Sequence, residues 1–195
     1  MVDAQGGAPR RLIASAPSSH WLPNFSRDGR FIYLASDYFS SSGWGDKQIW
    51  KVPRPGGDAV QVTRRGGFAS MESPDGKYLY YFNDRKPAGL WRTPTSGGLE
   101  APVLERGAPI LNWSWWTITD RGIIYIDDLD SSRQPAAWPV KLFDTATRAT
   151  TTLATIPKAP LMLRPGFTAS PDGRTIVYWV WDQVTSNIML LENFR

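Results

Sequence analysis

The chain has 195 residues, 42% of them hydrophobic, and a formal net charge of +4. Such a chain can bury one good-sized core or two small ones, and its hydrophobic content is that of a folded rather than a disordered chain. Cysteine is absent, excluding a disulfide framework and a thiolate metal site, and no apolar run approaches the roughly 18–20 residues of a membrane span.

The start, MVDAQGGAPRRLIAS, lacks the apolar core of a signal peptide. The 22 basic residues are scattered, paired only at Arg10 with Arg11, Arg64 with Arg65 and Arg85 with Lys86. Direct nucleic-acid binding needs a clustered basic stripe, so it is not expected of this segment. Ten Trp, seven Tyr and eight Phe favour sheet, and 17 Gly with 16 Pro, spaced at intervals, suit many short strands joined by turns.

In chain order, residues 8–13 read as a strand after a Gly-Gly turn, without the strand that should precede that turn. A strand at 22–26 then enters SRDG, with strands at 30–36, 48–52 and 59–63 following. The same order recurs at 68–72, SPDG, 77–83, 89–93 and 99–105. A worn copy runs 113–118, TDRG, 123–127, 138–143 and 148–154, and the last runs 167–170, SPDG, 174–181 and 187–191. The turn glycines are Gly29, Gly76, Gly122 and Gly173, a period of 46 to 51 residues. That period, with no sustained 3.6-residue apolar pattern, marks β-propeller blades of four antiparallel strands.

The expected fold is all-β, a propeller region with about four blades, at 15–63, 64–105, 106–156 and 157–195. Residues 1–14 would supply the fourth strand of the last blade. Such pairing would close a four-bladed ring and cover exposed strand edges. The alternative is the C-terminal part of a six- to eight-bladed ring, completed by further blades of the same parent or by a second copy.

The SPDG-aromatic-strand motif, Asn83-Asp84-Arg85 and the GG turn before a strand ending in Thr63 resemble the TolB-like (WD40-like, PD40) propeller repeat. The resemblance spans nearly the whole chain, although TDRG lacks the proline. The ending, from Asp182-Gln183 through Ile188 to Arg195, resembles bacterial winged-helix transcriptional regulators that carry such a propeller. This implies a non-enzymatic sensory or interaction module, periplasmic in a membrane-spanning parent and cytoplasmic otherwise. The rival is the propeller of a prolyl-oligopeptidase-like serine hydrolase, whose triad lies in a separate α/β domain; a purely structural scaffold is the third reading.

The repeated Ser and Asp are expected to serve turns rather than catalysis. The only histidine is His20, and no G-x-S-x-G elbow occurs. Ser and Asp suit the first and third turn positions, Pro pre-sets φ at the second, and Gly releases the chain into the next strand. Asp127, Asp128 and Asp130 form a weak calcium-like cluster without an EF-hand spacing, so neither metal nor cofactor is expected. Trp50 and Trp91 should pack between blades, and Trp115, Trp116, Trp179 and Trp181 within sheets. The remaining candidates lie in loops before first strands or after second ones: His20, Trp21, Tyr38, Trp44, Arg64, Arg65, Arg85 and Trp113. Such loops share one propeller face, where a protein or small ligand would bind.

Overall fold

The computed structural model describes residues 1, 5–9, 11–13, 20–36, 47–85, 87–105, 113–127, 137–158, 160, 166–182 and 185–192. Among them lie fifteen strands and no helix. Two compact units divide the chain, Met1–Glu105 and Arg106–Arg195.

The first unit holds two four-stranded meanders. One comprises β1 (His20–Phe25), β2 (Phe31–Ser36), β3 (Gln48–Pro53) and β4 (Val60–Gln61); the other comprises β5 (Phe68–Glu72), β6 (Tyr78–Asn83), β7 (Gly89–Pro94) and β8 (Ala101–Glu105). The second unit has a four-stranded sheet of β9 (Trp116–Thr119), β10 (Gly122–Ile126), β11 (Trp138–Phe143) and β12 (Thr150–Ile156). Its other sheet has three strands, β13 (Phe167–Ala169), β14 (Ile176–Asp182) and β15 (Thr185–Leu191). Every neighbouring pair is antiparallel. These are four propeller blades, two in each unit. Ala8, Pro9, Arg11, Leu12 and Ile13 belong to no strand, and Ile13 packs against Leu34, Trp50 and Val52 of the first blade.

A strand buried on both sheet faces carries an apolar run rather than an alternation. Thus β10 is buried at all five positions, and β2 and β6 at five of six. In the first unit Tyr33 and Ile49 of one blade meet Leu79, Tyr81 and Trp91 of the next. In the second, Trp115, Ile124, Val140 and Ile156 pack with Phe167, Ile176, Tyr178 and Val180. Trp115 also meets Trp138 edge to face at 5.4 Å. Truncating one such buried aliphatic to Ala costs about 2–5 kcal/mol.

The repeated turn has one geometry in three copies. Ser26, Ser73 and Ser170 each donate a hydroxyl to the Asp two residues on, at 2.7, 2.6 and 2.6 Å. Each hydroxyl also accepts a main-chain N–H five residues on, at 2.9, 3.0 and 3.0 Å. Asp28, Asp75 and Asp172 further accept the N–H of the second following residue, and these hydrogen bonds hold their carboxyls below the usual carboxylate range. The worn copy differs: Thr119 pairs directly with Gly122, leaving a tighter hairpin tip at Asp120 and Arg121. Gly122 is required there for another reason, since a Cβ would lie 2.3 Å from the Phe143 carbonyl oxygen. This tip also grips the last SPDG turn, with Asp120 N–H to Pro171 O at 2.8 Å and Arg121 Nη1 to Gly173 O at 3.2 Å.

Candidate functional site

In an antiparallel meander, the starts of the first and third strands share an end with the finish of the second. In the first blade the registers His20↔Ser36 and Ser36↔Gln48 mark that end; in the second, Asn83↔Gly89 does so. His20, Trp21, Lys47, the 62–67 connection and Arg85 therefore gather at one end of the first unit.

A β-bulge shapes each first strand there. The register slips between Trp21 and Asn24, and again between Phe68 and Met71. Leu22 and Ala69, one repeat apart, take φ of 54° and 51°. Bulges re-aim neighbouring side chains. The residues just before these two, Trp21 and Phe68, are repeat equivalents, and Lys47 Nζ lies over both rings, 5.5 and 5.0 Å from their centroids. Such cation–π contacts fix the ammonium between the two blades' entry strands.

His20 is exposed, and its Nδ1 lies 3.1 Å from Ser36 Oγ. That is the reach of a base and a hydroxyl, but Ser36 is only 2% exposed, inside a paired strand, and closed to a substrate carbonyl. The contact orients the imidazole at the end of the sheet.

The second group of residues is built on the connection from β4 to β5. Arg64 N–H donates to Glu100 Oε1 at 2.8 Å, and Arg65 N–H to Oε2 at 3.3 Å. Tyr81 O–H donates to the same Oε2 at 2.7 Å; burial first, then this carboxylate, pushes the phenol well above its ordinary range. Gly66 N–H donates to Gln48 Oε1 at 3.1 Å, an oxygen that also accepts from Thr63 Oγ1 at 3.0 Å. Gly67, at φ 140°, leaves room for the buried Tyr81 ring, which a Cβ would meet at 2.7 Å. The 84–85 loop is sewn to this connection by Asn83, which donates to Arg65 O at 3.1 Å and accepts from Arg85 N–H at 2.9 Å.

The candidates thus separate. His20 and Trp21 form one group with Lys47 and Ser36, and Arg64, Arg65 and Arg85 form a second beside it. Trp113 is half-buried in the second unit, while Tyr38 and Trp44 lie outside the described residues. Asp127 is 4% exposed and ion-paired with Lys141; Asp128 and Asp130 lie outside the described residues. No group of three metal-ligating side chains occurs among the described residues. Trp50, Trp91, Trp115 and Trp116 are buried, as their strand positions predict, and Trp179 is half-buried. Lys47, Ser36, Gln48 and Glu100 are absent from the sequence-based candidates; the pairing of Trp21 with Phe68 across one repeat was the available clue.

The class these features define is the β-propeller. More narrowly, the fold is TolB-like. The chain is similar to TolB from Acinetobacter baumannii, with 19% identity over 87% of this chain and 40% of that one and a TM-score of 0.67. A putative TolB from Agrobacterium tumefaciens gives 20% identity, 87% and 60% coverage, and a TM-score of 0.60. Puromycin hydrolase gives 16% identity, 87% and 26% coverage, and a TM-score of 0.58. The chain therefore spans 40% and 60% of the two TolB structures' length, and at these identities the likeness carries the fold alone. No protein-family model and no curated protein matches the chain.

Proposed function

We propose that this chain is a binding module, a TolB-like propeller segment that takes a protein or small-molecule ligand at the loop end of its first unit and catalyses nothing itself. The observation that carries this reading is a division of labour among polar side chains. The repeat's serines and aspartates satisfy one another and the main chain, whereas Arg64 and Arg65 stand exposed on a braced loop. Binding surfaces gain from such bracing, because less freedom is lost on association. On the resemblance of its ending to winged-helix regulators, the module would be the C-terminal region of a bacterial transcriptional regulator, conveying ligand occupancy to an output domain.

The prolyl-oligopeptidase-like alternative draws on the fold likeness to puromycin hydrolase. In that reading the propeller would still bind or admit a ligand, with the chemistry done elsewhere. Hydrogen–deuterium exchange against a panel of peptides and small polar ligands tests the proposal. Protection is expected at residues 20–21, 47–48 and 62–67. Protection confined to the turn end around Ser26 and Ser73, or ester or peptide turnover by the purified chain that His20→Ala removes, overturns it.

A further inference from the structure

We propose that the partner taken at this end is an acidic peptide segment, whose carboxylates are received by Arg64 and Arg65. The inference rests on the binding-module reading above and narrows it to one ligand chemistry.

The argument starts from the main chain. Glu100 and Gln48 hold the N–H groups of three consecutive residues, Arg64, Arg65 and Gly66. The loop is thereby fixed with its donors turned inward, and Arg64 and Arg65 are both exposed. Glu100 is the carboxylate that could have neutralised them. Its two oxygens instead accept two main-chain N–H groups and the Tyr81 hydroxyl, all neutral donors. Among the described residues neither Arg64 nor Arg65 forms an ion pair. Arg65 has its guanidinium 5.9 Å from the centre of the Trp91 ring, whose own N–H donates to Pro87 O.

Arg85 belongs to the same patch. A Cβ placed on Gly66 would lie 3.1 Å from Arg85 Nε and 3.2 Å from its Cδ, so the Arg85 stem rests on that glycine. Glycine is needed there for the approach, and φ of 98° adds a second requirement. Three guanidinium groups thus sit on two loops stitched together by Asn83. Among the described residues, Glu100 is already engaged and Asp84 is exposed. Guanidinium groups pair with carboxylates through two parallel hydrogen bonds, and a preset fork loses less entropy in doing so. The patch is short, without the stripe that a nucleic-acid backbone follows, so closely spaced peptide carboxylates fit it better.

The test is fluorescence anisotropy of the whole chain with a labelled peptide of alternating Glu and Gly. A Lys-Gly peptide of equal length and a single-stranded oligonucleotide serve as comparison probes. The acidic peptide should bind saturably and more tightly than both, and weaken as salt is raised. The double substitution Arg64→Glu with Arg65→Glu should weaken it by about tenfold or more. Arg174→Glu, half that charge change and placed in the other unit, should leave it unchanged. Circular dichroism checks folding, and Arg64→Gln with Arg65→Gln replaces the reversal should that variant unfold. Equal weakening by Arg174→Glu would reduce the effect to net charge and overturn the site. Tighter oligonucleotide binding lost in the double variant would overturn the peptide in favour of nucleic acid. Basic or neutral peptides that protect residues 62–67 where the acidic one does not would overturn this inference alone; failure of every probe would overturn it together with the binding-module reading.

Discussion

A hydroxyl beside a carboxylate is chemically ambiguous until its other partners are known. For Ser26, Ser73 and Ser170 they are known: each serine's lone pair takes a main-chain N–H while its proton goes to aspartate. The aspartates are held below the usual carboxylate range by these very bonds, which makes them weak bases at neutral pH. A second residue-scale case is Thr93, in the third strand of the second blade, where Val52 stands in the first. Val52 and Thr93 are both fully buried, but Thr93 Oγ1 has no hydrogen-bond partner among the described residues. A buried unsatisfied hydroxyl costs about 1–3 kcal/mol, and Val replaces it at nearly the same volume. Thr93→Val should therefore stabilise the chain by about 1 kcal/mol in urea unfolding; an equal loss would mean that the hydroxyl has a partner in solution.

The strands themselves were legible, because aromatic and β-branched runs between Gly, Pro and Asp turns leave few alternatives. Residues 68–72 and 138–143 were placed to the residue. The expected strand at 59–63 shortens to Val60–Gln61 because Val62 N–H and Thr63 N–H both turn to Ile49 O. The bulges were not legible, since nothing in Leu22 or Ala69 announces a left-handed backbone. A Cβ there costs roughly 1–2 kcal/mol, against about 0.5–1 for the added freedom of glycine in the unfolded chain. Ala69→Gly is thus expected to be neutral or stabilising by up to about 1 kcal/mol, although the same change within a regular strand destabilises. Thermal unfolding decides it; a clear drop in Tm would show that the bulge carries no strain. The candidate site was half legible. That Arg64, Arg65 and Arg85 share an end follows from the meander, but the clamp on their loop comes from Glu100, 36 residues beyond Arg64. No local pattern joins residues across that distance.

At the scale of the molecule, each unit buries its own apolar cluster between its two blades, so each has a core to fold around. The sequence pI of about 9.5 gives the surface a basic cast. The exposed guanidinium pair on the first unit concentrates that character at one loop. The binding-module proposal has the repeated Ser–Asp–Gly turn build blades and leave function to the loop end. Its most direct measurement is thermal unfolding and ester turnover of Ser73→Ala beside the parent chain. Ser73→Ala should lose about 1–2 kcal/mol of stability, from the orphaned Tyr78 N–H, with no turnover by either protein. An unchanged Tm, together with turnover by the parent that the variant has lost, would contradict it.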